Sequence, residues 1–400
     1  MTRNAVTFGA VGDINFSGDC AEQMMAGGID WPFEKMLPHL RRADVLFGNM
    51  ESVLLPPDYP DDQIDPKGLV GKYDGTPALA GAGFGFMNLA NNHVLDGGRV
   101  SMFHTRDAIE RLGVVTAGVG KTQKQARQMP VLQVGGLRFG FLCYCEDSNY
   151  SLSTKGPCHA YYTRRAVLSD VARNKDDVDV LVVSIHADLE FMETPSWPRR
   201  EIFREISAAG ATIVLGHHPH VPQGVELIDG RLIAYSLGNF YFAAHSDDYM
   251  KGNGPHTAHS FLLLAEVGAG GVESFARVPF EIRQAPEQRP VPLDAPERER
   301  MLAYLEQLDR KAADDEAVKG NWRDIALRHL DIYLERVRKY GREDLLVDLI
   351  GRLVLVAENR SWIDEVFAAV KENWARQARR VDPCHRPQYA MTSRKPPGDS

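Results

Sequence analysis

Five times in this 400-residue chain a short apolar run stops at a residue able to bind a metal or move a proton. Val11-Gly12-Asp13-Ile14-Asn15 closes the first run and Phe47-Gly48-Asn49-Met50-Glu51 the second. A third is followed by Asn91-Asn92-His93-Val94-Leu95-Asp96, and a fourth ends in Ser184-Ile185-His186-Ala187-Asp188. The fifth ends in Leu215-Gly216-His217-His218-Pro219-His220-Val221, three imidazoles within four positions. Residues just past the strands of an α/β sheet gather along its carboxyl edge, where such folds place ligands. The pattern therefore predicts a layered α/β fold in which five strand ends share one rim.

The rest of the chain agrees with that prediction. Strands are expected at Thr7–Val11, Val45–Gly48, Phe86–Leu89, Val114–Thr116, Leu137–Cys143, Val178–Ile185, Thr212–Leu215, Leu232–Ser236 and Phe261–Val267. Helix-like stretches such as Met102–Leu112 and Arg199–Ala209 lie between them, an alternation typical of α/β layers. Gly224–Ser236, turning at Asp229-Gly230, reads as a hairpin and makes the sheets mixed. The Pro- and Asp-rich segment Pro56–Lys72 is expected as a loop, more a surface excursion than a cover over the site. Residues 1–287 are expected to form the catalytic domain, with a proline-rich joint at Pro286–Pro296. A helical extension over 298–382 follows, marked by Met301, Leu302, Leu305 and Leu308, by Leu345–Leu353, and by Ile363, Val366, Phe367, Val370 and Trp374. It packs on the first domain or on a second subunit, so a homo-oligomer is one expectation. The polar stretch 383–400 is expected to be disordered.

Each candidate residue has an ordinary structural reading: a helix cap for Asp13, a turn amide for Asn92, a packed histidine for His186. Five such endings on one rim point instead to a shared nitrogen and oxygen site for a divalent cation. Neutral imidazole is the commonest transition-metal ligand and also the usual acid or base near neutral pH. The net charge of −8 argues against a nucleic-acid partner. No apolar run reaches the length of a membrane span, and no leader precedes the first strand, so a cytoplasmic location without a membrane partner is expected. Five cysteines without paired spacing read as small core residues rather than a zinc knuckle.

The order of these motifs resembles the calcineurin-like metallophosphoesterase superfamily, and more closely its CapA-like branch, associated with poly-γ-glutamate capsule synthesis. The residues carrying the resemblance are Gly12-Asp13-Ile14, Gly48-Asn49-Met50-Glu51, Ala90-Asn91-Asn92-His93-Val94-Leu95-Asp96, Gly216-His217-His218-Pro219-His220-Val221 and Tyr235-Ser236-Leu237-Gly238-Asn239-Phe240. It covers about residues 5–285 and implies a calcineurin-like layered fold of mixed central sheets flanked by helices. It implies Asp13, Asn92, His186 and His218 as metal ligands, Glu51 in or near the bridging position, His220 on the first metal and His93 as proton donor. Two departures stand out. The superfamily's Asp-x-His is here Asp13-Ile14-Asn15, and its bridging Asp is replaced by Glu51. A weakened first position makes one cation per chain the expectation, drawn from Ca, Mn or Mg.

If Asp13 and His220 are released from the metal, they form one acid/base pair, with His93 and Asp96 as a second. Two such pairs suit proton abstraction and return. Asp13, His93, Asp96 and His220 are thus the expected catalytic residues, and Asp13, Glu51, Asn92, His186 and His218 the metal ligands. The expected function is a metal-dependent enzyme acting on a peptide substrate, a Cα epimerase like the CapA-like proteins encoded with lasso-peptide precursors. The alternatives are a metallophosphoesterase or amide hydrolase, and a capsule-polymer binding protein.

Overall fold

The computed structural model describes residues 5–64, 68–146, 158–246, 248–253, 256–340, 363–369 and 371. Two mixed sheets form its centre. The larger runs in the order Pro290–Pro292, Gly271–Ile282, His259–Gly268, Val6–Ile14, Val45–Met50, Phe86–Asn88 and Val115–Ala117, and Asn239–Tyr241 pairs with the end of Val6–Ile14. The smaller runs Val225–Ile228, Arg231–Ala234, Ile213–His217, Val180–His186, Leu137–Cys145 and Val131–Val134. In the larger sheet the strands from Val6–Ile14 to Val115–Ala117 are parallel and those on the other side of Val6–Ile14 antiparallel; in the smaller the central strands are parallel and both edge pairs antiparallel. The layered fold expected from the sequence is the one observed.

Strands buried on both faces explain the near-continuous apolar runs. Phe8, Phe47, Phe86, Phe139, Phe141, Val182 and Ile213 fill the space between the sheets. Phe86 stacks on Phe141 with ring centroids 3.9 Å apart, and Phe8 on Phe139 at 6.2 Å. Two outer clusters pack helices against the far faces. Met24, Leu79, Met102 and Ile109 lie beneath helices flanking the larger sheet, and Val167, Val171, Phe203 and Ile206 beneath those flanking the smaller.

The strand cores stand where expected, mostly extended at their carboxyl ends, as Thr7–Val11 becomes Val6–Ile14 and Leu137–Cys143 becomes Leu137–Cys145. The hairpin turns at Asp229 (φ 49°) and Gly230 (φ 73°), the two left-handed residues that a tight two-residue loop needs. Several strands were not foreseen, Gly271–Ile282 the longest of them. Gly271–Ile282 alternates irregularly between buried and exposed residues, and Val131–Val134 is an edge strand with an exposed face. The loop expected over Pro56–Lys72 carries exposed Asp58, Asp61 and Asp62 but does not stay on the surface. Val70–Gly71 returns parallel to Val53–Leu54, and the Leu69 amide donates to Asp96 at 2.6 Å.

The proline-rich joint contributes the edge strand Pro290–Pro292. Beyond it, Asp294 caps the helix Ala295–Ala313 by accepting from the Glu297 amide. Met301, Leu305 and Leu308 on that helix are buried in the cluster between the sheets, and Asp309 accepts from Arg277 at 2.7 and 2.9 Å. The helix Asp315–Tyr340 follows, and Ile363 and Val366 pack near its Trp322 and Ile325. Leu345–Leu353, Val370, Trp374 and the stretch 383–400 lie outside the described residues. Cys20, Cys143, Cys145 and Cys158 are buried and unbridged, and burial pushes the Cys20 thiol up to about 12. Among the described residues no helix is long and apolar enough to cross a membrane.

Candidate metal centre

The rim expected from the strand ends exists, and the two sheets supply it jointly. In the larger sheet Asp13 stands opposite Asn49 in register. The preceding Gly12 permits this, since a Cβ there would lie 1.8 Å from the Gly238 carbonyl oxygen. In the smaller sheet His186 stands opposite His217. His218 (φ 97°) and His220 (φ 57°) then adopt left-handed backbone conformations, costly for residues other than glycine and found mainly where function requires them.

Glu51 is the centre of the arrangement. Its side chain is fully buried, and neither carboxylate oxygen has a hydrogen-bond partner among the described residues. Three imidazoles surround it instead: His186 Nε2 at 3.6 Å, His220 Nε2 at 3.7 Å and His93 Nε2 at 4.0 Å from Glu51 Oε1. A buried carboxylate without donors costs several kcal/mol, roughly, unless a proton or a cation joins it. Burial, then the charges of Asp13, Glu190 and Asp96, push its carboxyl well above the usual range.

The donors fit a divalent cation. His186 Nε2 and Asn92 Oδ1 lie 2.8 Å apart and face one another. With a cation in place of a ring proton between them, both atoms would be able to serve as ligands. Burial, then the neighbouring imidazoles, keep His186 neutral well below its ordinary value, the state a ligand requires. Glu51, His186 and His218 offer donor atoms within 4.8 Å of one another, and so do Asp13, Glu51 and His220. The two sets meet at Glu51.

Every expected site residue lies in this centre, but their relations differ from the expected pairs. His93 and Asp96 do form one, with Nδ1 2.7 Å from Asp96 Oδ2, and His93 keeps 17% of its side chain exposed. Asp13 and His220 do not form a second open pair. Asp13 is fully buried, accepts from Asn49 Nδ2 at 2.7 Å and has His217 Nδ1 at 3.3 Å. Burial alone would raise its carboxyl, but contact with His217, then the charge of His220, hold it below the usual range. His220 turns Nδ1 to Asn239 Oδ1 at 2.9 Å, with Asp13 Oδ2 at 3.5 Å. Asp188 lies two residues beyond His186. It accepts from the Leu189 and Ser196 amides, while Asn49 Nδ2 faces His186 Nδ1 at 3.2 Å.

Four participants carried no assigned role from sequence. Asn49 lies two residues before Glu51, and strand alternation would have flagged it. His217 lies inside the three-histidine turn, stacked on Phe47. Asn239 lies in the Gly238-Asn239-Phe240 motif. Glu190 had no signal, since only the path of an irregular loop brings it to His218 and His220. Burial would raise its carboxyl, but the charges of those two imidazoles bring it below the ordinary value. Several other histidines and tryptophans have partners outside this centre. His245 bonds the Ile282 carbonyl, Trp31 donates to the Glu287 carbonyl, and Arg200 and Lys319 cover Trp197. His256 and His259 are half-buried with Tyr304 in a separate cavity of about 390 Å³.

Residues 7–244 match the family model of the bacterial capsule synthesis protein PGA_cap. The capsule biosynthesis protein CapA of Bacillus anthracis is 30% identical over 246 residues, 59% of this chain and 60% of that protein. The PGA biosynthesis protein CapA of Bacillus subtilis is 27% identical over 281 residues, 69% of this chain and 71% of that protein. A solved phosphatase from Mycoplasma pneumoniae aligns with a TM-score of 0.44 at 13% identity, over 69% of this chain and 93% of its own. A likeness of that size says nothing about activity.

Proposed function

The chain belongs to the bacterial capsule synthesis protein family PGA_cap, and from that premise we propose a metal-dependent hydrolase acting on an amide-linked, polyglutamate-type chain. The observation that carries this reading is the buried, unpartnered Glu51 carboxylate ringed by three imidazoles. A divalent cation there supplies Lewis-acid polarisation of an oxygen-bearing group. Glu51, Asp13, His218, His186 and Asn92 are the residues that hold it.

The chain's own part is to aim and deliver a proton. Asp96 fixes His93 through Nδ1, leaving Nε2 on the side of Glu51. The Leu69 amide fixes Asp96 in turn. During hydrolysis the elements of water add across the bond, hydroxyl to the acyl carbon and proton to the leaving nitrogen through His93 Nε2. One open His–carboxylate pair suffices for that chemistry.

Epimerisation at Cα needs two proton-moving groups on opposite sides of one carbon. The 3.5 Å approach of His220 to Asp13 favours that second reading. The burial of both residues and the bond from His220 to Asn239 weigh against it.

One experiment separates the two. Poly-γ-glutamate is incubated in D₂O with the protein and Mn²⁺, Mg²⁺ or Ca²⁺, and chain length and Cα deuterium are read by mass spectrometry. We expect shortening that needs a cation, without deuterium at Cα, and slowed by about 10²-fold or more in His93→Gln. Deuterium without shortening replaces hydrolase with epimerase. Binding with neither outcome makes the protein a polymer-binding member of its family.

A further inference from the structure

We propose that Glu190 is a cation ligand of this centre, oriented by Tyr249, and makes up for the donor that Asn15 withholds. The inference rests on the metal-dependent reading above.

Asn15 occupies the place where the related superfamily carries an imidazole, yet it does not serve the centre. Its Oδ1 accepts from both the Ser17 amide at 2.8 Å and the Ser17 hydroxyl at 2.6 Å, an arrangement internal to its own turn. The donor set on that side is therefore reduced to Asp13, Glu51 and His220.

Glu190 is delivered to the centre by a loop built for the purpose. The strand Val180–His186 ends, and the chain turns through left-handed conformations at Asp188 (φ 97°) and Phe191 (φ 63°). Three hydrogen bonds donated by backbone amides hold this course, two of them to the Asp188 carboxylate. Asp188 accepts from Leu189 and Ser196, and the Phe191 amide donates to the Pro219 carbonyl at 2.8 Å, in the middle of the three-histidine turn. Strain in two non-glycine residues persists only where surrounding contacts enforce it. The result is that Glu190, His218 and His220 offer ligand atoms within 4.8 Å of one another.

Tyr249 completes the argument. Its hydroxyl donates to Glu190 Oε2, and its ring stands edge-on to Phe191 at 5.1 Å. A carboxylate held through one oxygen presents the other in a fixed direction, as outer partners of metal ligands do. Tyr249 sits on the short helix Asp248–Asn253 and is half exposed.

The test is titration of metal-free protein with Mn²⁺, followed by calorimetry and by the bound-ion signal in electron paramagnetic resonance. Wild type, Glu190→Gln, Tyr249→Phe and His218→Ala are compared, each checked for an unchanged thermal transition without metal. We expect Glu190→Gln to weaken Mn²⁺ binding by about 10²-fold and Tyr249→Phe by about 10-fold, with an altered signal from the ion that remains. Wild-type affinity and signal in Glu190→Gln, alongside loss in His218→Ala, overturns the role of Glu190 and leaves the metal centre standing. No binding by wild type overturns both. Tyr249→Phe keeps the question open to decision should Glu190→Gln fail to fold, because its lost hydroxyl lies at the surface.

Discussion

Burial without a partner means different things for different residues here. Glu51 has no hydrogen-bond partner among the described residues and stands within a set of donors suited to a cation. His159 is bare in an ordinary apolar setting, 2% exposed, with neither ring nitrogen bonded among the described residues. Burial lowers its pKa from the ordinary 6.5 to about 4. The folded protein therefore keeps His159 neutral where the unfolded chain takes up a proton, so this contribution to stability is complete above pH 6.5. It is lost as pH falls from 6.5 toward 4, each tenfold displacement of the proton equilibrium corresponding to about 1.4 kcal/mol. His159→Leu should flatten the fall of urea stability between pH 6.5 and 4. An identical slope in variant and parent would show that other groups set it.

At the scale of elements, close backbone approach decides where the rim can form. Gly216 lies in the strand Ile213–His217, and a Cβ there would fall 1.7 Å from the Tyr235 carbonyl oxygen. Backbone cannot yield as a side-chain tip does. Gly216→Ala should cost about 3 kcal/mol or more, read as a lowered denaturant midpoint, whereas Gly252→Ala, with open space around it, should be near neutral. Equal midpoints would mean that the strands accommodate the methyl. The same scale explains what the sequence made legible. Apolar runs ending in Asp13, Asn92 and His186 could be read because a strand's end fixes where its next residue goes. Glu190 and Tyr249 could not, since the loop that carries Glu190 depends on a bond from Phe191 to the distant Pro219. Gly271–Ile282 escaped notice because its buried and exposed residues do not alternate strictly.

For the whole molecule, the question is whether the helix Ala295–Ala313 is an appendage or part of the fold. Its Leu308 is fully buried in the cluster that also holds Phe8 and Phe139, and Asp309 accepts from the Val225 amide at 2.8 Å. Leu308→Ala should cost about 2–5 kcal/mol and leave a single transition that tryptophan fluorescence and circular dichroism report together. Two separate transitions would mark the helix as an independent unit. Composition could suggest a change of character near Pro290, but not that three apolar residues beyond it reach between the sheets. That insertion depends on the surface the sheets present after folding.

The register pairs at the rim carry one last consequence. Asp13 and Asn49 belong to one sheet, His186 and His217 to the other, and Glu51 lies among groups from both. An ion held at that point would act as a clasp across the seam of the sandwich. Drawing the sheets together and gathering the ligands are then one event, so the protein's architecture and its chemistry share a single point of closure.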